Sequence, residues 1–280
     1  MLKIFRSILI GLLVVAWVAP GEGLAYHRLA FRRHGPYHLT ANTALLWDPA
    51  RNQNYFAQGA DREVYPASTT KVLTAILVLE NLPLDKQVTV PAQAALMPQT
   101  KLGLRPGEVW RVRDLLYGML LHSANDAAVT LAVAVAGSQE KFVDMMNARA
   151  RQLGALHSHF ANPDGLPSTG PQFTTAADMS RIFLQALKND FFRQALTYKY
   201  MTISSVAGRR LFLKSFNKTL FFSWRRQVFG KTGYTREARY CFVGYIPRGK
   251  EDMLVIAVYG CRRRWTDMKY IIEHYGHIML

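Results

Sequence analysis

The stretch Pro66-Ala67-Ser68-Thr69-Thr70-Lys71 opens a largely apolar predicted helix and carries a possible reactive pair. From Thr69 to Leu79 most positions are apolar, and a helix that is apolar on most sides is a buried helix. On such a helix Ser68 and Lys71 are three residues apart and share one face. The sequence therefore predicts a serine hydroxyl beside a lysine amine at the start of an interior helix.

This pair has a chemical interpretation and a structural one. Burial lowers the pKa of a lysine, and a neutral amine beside a serine can take the serine proton. Ser68 in the first turn would also lie at the positive end of the helix dipole. Alternatively, Ser68 caps the helix and the amine of Lys71 reaches solvent. The pair alone leaves both interpretations open.

Two further triplets carry polar groups that suit a cleft. Ser123-Ala124-Asn125 lies between two predicted helices, where a hydroxyl and an amide can point into the same hollow. Lys231-Thr232-Gly233 lies in an extended stretch, where a cation and a hydroxyl can hold a carboxylate while glycine admits a ligand to the strand edge. Helix capping is the commoner explanation of the first triplet, and a turn at a strand end is the alternative for the second.

The remaining pattern predicts an α+β domain, an antiparallel sheet with helices packed on its faces and a helical subregion. Turn residues 48–52 join two early strands, and Pro247-Arg248-Gly249-Lys250 joins the last two. The predicted helices span 114–121, 126–136, 139–153, 174–187 and 265–275. The predicted strands span 42–47, 54–57, 199–206, 210–216, 228–234, 240–246 and 253–260.

In this order the three motifs resemble the signature of the penicillin-binding and serine β-lactamase superfamily, Ser-x-x-Lys, Ser-x-Asn and Lys-Thr-Gly. The longer strings look like the low-molecular-mass D-alanyl-D-alanine carboxypeptidases, and the likeness covers roughly residues 40–262. These strings are Pro66-Ala67-Ser68-Thr69-Thr70-Lys71, His122-Ser123-Ala124-Asn125-Asp126-Ala127-Ala128, Asn162-Pro163-Asp164-Gly165-Leu166-Pro167 and Gly230-Lys231-Thr232-Gly233-Tyr234-Thr235.

The resemblance implies a serine carboxypeptidase that removes the terminal D-alanine of peptidoglycan stem peptides. Ser68 would attack the carbonyl between two D-alanines, Lys71 would accept its proton, and Ser123 would relay a proton toward the leaving amine. The backbone N–H groups of Ser68 and Tyr234 would form the oxyanion hole. β-Lactams, which resemble the same dipeptide, would acylate Ser68 and remain bound.

The resemblance also implies the substrate-binding residues. Asn125 would hold the substrate backbone and Lys71, while Lys231 and Thr232 would meet the terminal carboxylate, with Gly233 and Tyr234 beside them. Many relatives carry Asn-Arg-Asn where this chain has Lys214-Ser215-Phe216-Asn217-Lys218. The basic contact expected there is either missing or supplied by Arg236.

Two alternative functions remain open from the sequence. A class A β-lactamase needs a glutamate between the second and third motifs to activate water, and Glu140 is the only glutamate between Asn125 and Lys231. A non-catalytic wall-binding protein would not need Lys71 and Ser123 together. The motifs do not distinguish hydrolysis from transpeptidation.

Composition sets the class and the compartment. Half of the residues are hydrophobic, which excludes disorder, and the net charge of +16 attracts anions. Lys3 and Arg6 precede an apolar run, which predicts a signal peptide over residues 1–25, or an uncleaved anchor, and export across the cytoplasmic membrane. A single catalytic domain is expected over residues 26–280, without a C-terminal β-rich domain or membrane-anchor helix.

Export makes nucleic acid an improbable partner, so the basic clusters are expected to be solvated or to contact an anionic wall polymer or a membrane surface. These clusters include Arg32-Arg33, Arg209-Arg210, Arg225-Arg226 and Arg262-Arg263-Arg264.

No cofactor or metal is expected. His157 and His159 offer two imidazoles but no third ligand at a suggestive spacing. Cys241 and Cys261 fall near the far ends of the last predicted hairpin with an offset register, so they are predicted to be buried free thiols.

Overall fold

The computed structural model describes residues 37–98, 100–249 and 252–280. Within it the chain from Leu39 to Leu280 forms one compact unit. The predicted signal peptide over residues 1–25 lies outside the described residues. Among the helices that the structure does describe, none has the length and apolar character needed to cross a bilayer.

The elements alternate between short strands and helices before a strand-rich final third. The strands are β1 Thr43–Asp48, β2 Gln53–Gln58, β3 Gln87–Thr89, β4 Val109–Arg111, β5 Tyr200–Ser204, β6 Arg210–Lys214, β7 Phe229–Thr235, β8 Arg239–Pro247 and β9 Met253–Cys261. The α-helices are α1 Lys71–Asn81, α2 Ala92–Ala95, α3 Val112–Leu121, α4 Asn125–Ala136, α5 Gln139–Gln152, α6 Ala176–Ala186, α7 Asp190–Ala195 and α8 Arg264–Tyr275.

An antiparallel sheet of five strands in the order β2-β1-β9-β8-β7 separates two layers of helix. Alternate side chains of β9 pack on opposite faces of this sheet. Val255 and Ala257 belong to the large core cluster beneath the helical region, whereas Ile256 and Val258 pack in the smaller cluster with α8. Both faces of the sheet are therefore buried by helices, and the α+β fold predicted from the sequence is confirmed. The strand order places β7 at one edge of the sheet.

The helix predicted to be buried is the centre of the helical layer. Eight successive residues of α1, from Lys71 to Val78, are buried, and the helix is packed among α4, α5 and α6. A short 3₁₀ turn, Ala67–Thr70, precedes α1 and contacts β7. This contact places Ser68 between the helical layer and the edge of the sheet.

The late strands divide in a way the sequence pattern does not show. β5 and β6 pair with each other as a separate two-stranded sheet, and β3 and β4 form another. The latter two strands and the helices α2 and α7 have only three to six residues each. Segments this short carry too few residues to show a hydrophobic period.

The cysteine prediction is confirmed. Cys241 and Cys261 are free and buried. A register shift between Tyr240 and Phe242 pairs Tyr240, rather than Cys241, with Cys261. Within the described residues no group of three His, Cys, Asp or Glu side chains could hold a metal ion, and the ring of His159 stacks on Phe173.

Candidate active site

Ser68 and Lys71 meet as the sequence spacing predicts. The Nζ atom of Lys71 lies 2.9 Å from Ser68 Oγ, 2.7 Å from Asn125 Oδ1 and 2.5 Å from the backbone oxygen of Asp164. The amide and carbonyl oxygens can only accept hydrogen bonds, so they take two N–H groups of the amine. The third direction, toward the hydroxyl, is the only one left for the lone pair of a neutral amine.

Burial makes that neutral form accessible. The side chain of Lys71 is completely buried, and its desolvation lowers the pKa of the amine to about 8, although the negative charges of Asp164 and Asp126 act in the opposite direction. An amine with this pKa is partly neutral near neutral pH. The geometry and the pKa together allow Lys71 to accept the proton of Ser68.

Ser123 holds an unusual backbone conformation between α3 and α4. Its φ of 63° lies in the left-handed region that non-glycine residues seldom adopt, and its hydroxyl accepts a 2.8 Å hydrogen bond from Lys231 Nζ. Such local strain persists only where the surroundings fix it, and it is common at functional sites. The bond joins the helical layer to strand β7.

Lys231 is the second buried ammonium of the site. It also donates to its neighbour's backbone oxygen, that of Thr232, at 2.9 Å. Desolvation lowers its pKa well below the usual value, and the positive charges of Lys71 and Arg264 lower it further. An anionic group bound here would relieve that cost, as expected for a carboxylate-binding cation.

Asn125 begins α4 and links Lys71 to the loop on the far side of the cleft. Its Oδ1 accepts the hydrogen bond from Lys71 Nζ. Its Nδ2 donates to Pro98 O at 3.3 Å, and its backbone N–H donates to Thr100 O at 2.8 Å. Asp126 then fixes the same loop through the backbone N–H groups of Leu102 and Leu104. The amide of Asn125 is therefore held rigidly on Lys71.

Asp164 is a site residue that the motif analysis missed. Its backbone oxygen binds Lys71, and its buried carboxyl has a pKa raised by desolvation, with one oxygen, Oδ2, unpartnered among the described residues. The turn is tight because a Cβ on Gly165, whose φ is +81°, would lie 1.9 Å from Ala67 O. The turn string was quoted for its family likeness, and only the fold shows that it abuts the serine turn.

Gly233 permits the close approach of β7 to the serine turn. A Cβ at this position would lie 3.1 Å from Ala67 Cβ and 3.2 Å from Ser68 N. The glycine thus admits the backbone of Ser68, and the next residue, Tyr234, is exposed and packs on Tyr240 with ring centroids 4.7 Å apart. The structure gives this glycine a packing role in addition to the ligand access inferred from the sequence.

A cleft of about 760 Å³ opens over Ser68 and Ser123. Thr232, Gly233 and Tyr234 form the wall along β7. The remaining lining residues are Thr100, Lys214, Ser215, Phe216, Lys218, Phe221, Phe222, Tyr240 and Arg264. All eight predicted site residues therefore lie in this cleft or are hydrogen-bonded beneath it.

The structure does not support Arg236 as the source of the basic contact, one of the two options left open, and it corrects the interpretation of Arg264. Arg236 is exposed in the turn after β7 and does not line the cleft, where the basic side chains are Lys214, Lys218 and Arg264. Arg264 was grouped with solvated arginines, yet it is buried and donates to Gly233 O at 3.0 Å and to Cys241 O at 2.7 Å. A sequence run of three arginines gives no sign that one points inward.

A serine paired with a buried lysine in an open cleft is the arrangement of a serine hydrolase that acts by acyl transfer. Residues 30–260 match the D-alanyl-D-alanine carboxypeptidase family of peptidases. The chain therefore belongs to this family of penicillin-binding DD-peptidases.

Individual relatives agree. The chain is 37% identical over 205 residues to D-alanyl-D-alanine carboxypeptidase DacB2 of Mycobacterium tuberculosis, covering 72% of this chain and 69% of that protein. It is 30% identical over 264 residues to DacF of Bacillus subtilis, covering 92% of this chain and 66% of that protein. The chain thus spans about two thirds of the length of these relatives.

Solved structures show the same fold. The Streptomyces K15 DD-transpeptidase matches with a TM-score of 0.78 and 28% identity, over 87% of this chain and all of that one. A D-alanyl-D-alanine carboxypeptidase from M. tuberculosis matches with a TM-score of 0.77 and 31% identity, over 87% of this chain and 94% of the other.

Proposed function

We propose that this protein removes the terminal D-alanine from peptidoglycan stem peptides through an acyl-enzyme on Ser68, and that β-lactams acylate the same hydroxyl. The observation that carries the proposal is the set of three contacts around Lys71 Nζ. Two fixed acceptors leave the lone pair facing Ser68 Oγ, which is the arrangement a proton acceptor requires.

The reaction steps follow from the positions of the other groups. As Ser68 Oγ attacks the carbonyl carbon, its proton passes to Lys71, and the backbone N–H groups of Ser68 and Tyr234 stabilise the oxyanion; such a donor is typically worth ~3 kcal/mol in the barrier. Ser123 relays a proton to the leaving amine of D-alanine. Water then hydrolyses the ester on Ser68 and restores the free enzyme.

Substrate placement uses the edge of the sheet. Lys231 and Thr232 receive the terminal carboxylate, whose negative charge compensates the buried ammonium. Gly233 and Tyr234 form the adjoining wall, and Asn125 contacts the peptide backbone while it holds Lys71. Binding of a free carboxylate at this end makes the enzyme act on the last residue of a peptide.

The geometry disfavours the two alternatives. Glu140, the only candidate base for a class A β-lactamase, is exposed at the first turn of α5, and no glutamate is among the described residues that line the cleft. A wall-binding protein without activity would gain nothing from burying Lys71 against Ser68. Transpeptidation differs only in the acceptor, and the names of the relatives include both carboxypeptidase and transpeptidase.

We further propose that the protein is exported, with residues 1–25 as its leader and the remaining chain as one catalytic unit. The basic n-region and apolar run support export, as does the substrate, which lies outside the cytoplasmic membrane. The excess positive charge supports weak association with an anionic wall polymer or membrane surface.

Intact-mass measurement after incubation with benzylpenicillin tests the nucleophile. The native chain gains one penicilloyl group, the Ser68→Ala variant gains none, and the Ser215→Ala variant, which changes another cleft serine, behaves like the native chain. An adduct on Ser68→Ala would refute the assignment. Release of D-alanine from diacetyl-L-Lys-D-Ala-D-Ala tests hydrolysis, and its absence from acylating protein would restrict the proposal to penicillin binding.

A further inference from the structure

The cleft contains a second group of cations that the proposed reaction does not use. Lys214, at the end of β6, and Lys218, in the following 3₁₀ turn, are exposed and line the same cleft as Ser68. Within the described part of the chain neither lysine forms a salt bridge. Their positive charges are therefore available to a ligand.

No aspartate or glutamate near these two lysines in the sequence balances their positive charges. Residues 191–236 contain ten lysines and arginines and not one aspartate or glutamate, and the described residues that line the cleft include no acidic side chain. The ammonium of Lys214 lies 5.2 Å from the ring centroid of Phe221, which also lines the cleft. An apolar wall of this kind strengthens the attraction of an anion to the nearby cations.

Hydrogen bonds fix the end of the cleft at which the two lysines lie. Asn217 and Thr219 donate to Val228 O, at 2.8 and 2.5 Å, just before β7 begins. Phe216 N donates to Leu121 O, and its ring lies 4.8 Å from that of His122, next to Ser123. The segment thus lies beside the first half of β7.

The same end receives the leaving residue of the substrate. Along β7 the carboxylate-binding pair Lys231 and Thr232 precedes Tyr234, whose N–H belongs to the proposed oxyanion hole. A peptide whose scissile carbonyl meets Tyr234 and whose terminal carboxylate meets Lys231 therefore points its last residue toward the start of β7. Lys214 and Lys218 line the cleft on the segment that is bound to this end of β7.

We propose that Lys214 and Lys218 form a subsite for a carboxylate on the side chain of the leaving residue, so that the enzyme releases an acidic terminal D-amino acid in preference to its neutral isostere. This inference rests on the proposed function. The D-alanyl amide bond breaks, the acyl group joins Ser68 Oγ, and the amine of the leaving residue takes the proton, as it does for D-alanine.

Three matched peptides test the subsite: diacetyl-L-Lys-D-Ala followed by D-Ala, D-Glu or D-Gln. We expect kcat/KM for the D-Glu peptide to exceed that for the isosteric D-Gln peptide about tenfold at low salt, and the ratio to shrink in 0.5 M NaCl. In the double variant Lys214→Met with Lys218→Met the ratio falls to about one. The Lys86→Met control, an exposed lysine outside the cleft, keeps the native ratio.

The outcomes separate this inference from the proposed function. Release of D-alanine with equal rates for D-Glu and D-Gln refutes the subsite and leaves the carboxypeptidase intact. A preference for D-Glu that survives in the double variant assigns it to other residues and also refutes the subsite. An equal fall in all three rates means that the lysines serve the terminal carboxylate instead. No release from any peptide and no acylation by benzylpenicillin refute both proposals.

Discussion

The titration of Lys71 gives the sharpest test of the proton-transfer step. With a pKa of about 8, about one tenth of the amine is neutral at pH 7 and about nine tenths at pH 9. Because only the neutral amine accepts the proton of Ser68, the acylation rate should rise about tenfold across this range. Saturating benzylpenicillin is used, since its carboxylate keeps Lys231 charged and leaves Lys71 as the titrating group.

Replacing Asp164 should change the pKa of Lys71. Its negative charge raises the pKa of Lys71, so the Asp164→Asn variant should shift the ascending limb to lower pH by about 1 unit, a typical effect of a nearby charge. The amide keeps the oxygen that accepts the backbone N–H of Leu166 at 2.9 Å. Consequently the variant should acylate faster than the native chain near pH 7.

Stopped-flow fluorescence or quenched-flow mass spectrometry between pH 6 and 10 measures the acylation rate. Asp144→Asn, at an exposed aspartate of α5, is the matched control and keeps the native profile. A rate independent of pH in the native chain, or an inflection that moves upward in Asp164→Asn, would refute the proton-acceptor role of Lys71. Loss of acylation in Lys71→Ala is the companion expectation.

Three more predictions concern packing and accessibility. In Gly165→Ala the new methyl would lie 1.9 Å from Ala67 O, so the free energy of unfolding measured by urea titration should fall by more than ~2 kcal/mol. Gly154 has a similar φ but open space around it, so Gly154→Ala should lower the free energy of unfolding by only ~1 kcal/mol. Equal losses in the two variants would contradict the contact with Ala67. Both cysteine thiols, whose pKa values are raised by burial, should resist Ellman's reagent until the protein unfolds, and rapid native labelling would contradict this. Arg264→Leu removes the hydrogen bonds to Gly233 O on β7 and to Cys241 O on β8 and should slow acylation at least about tenfold. The exposed Arg262→Leu should not slow it, and equal rates in the two variants would show that Arg264 does not position β7.

Local patterns determined most of the fold. The predicted closing helix, 265–275, is observed as Arg264–Tyr275, and the predicted strand 253–260 as Met253–Cys261. The helix repeats its apolar residues every three to four positions, and the strand is a short continuous apolar run after a turn. The partner of each strand was harder to predict. β5 and β6 are predicted as strands just as the later ones are, but they pair only with each other, because strand pairing depends on contacts distant in sequence.

The active site, like the fold, was predictable from the sequence only in part. The motif spacing predicted Ser68, Lys71, Ser123 and Lys231 as site residues, because each motif requires particular residue types at fixed separations, and the structure joins them in two hydrogen-bonded pairs. It did not identify Asp164, since this residue contributes a backbone oxygen, which any residue type possesses.

The roles of the two buried lysines depend on each other. Both lysine side chains are buried, and the positive charge of Lys71 lowers the pKa of Lys231, so holding both positive charges together is costly. A bound carboxylate favours the charge on Lys231, while the fixed acceptors around Lys71 orient its lone pair toward Ser68. The substrate's own terminal charge thus completes an electrostatic arrangement that is unfavourable without it, so replacing that carboxylate with an amide should cost acylation as well as binding.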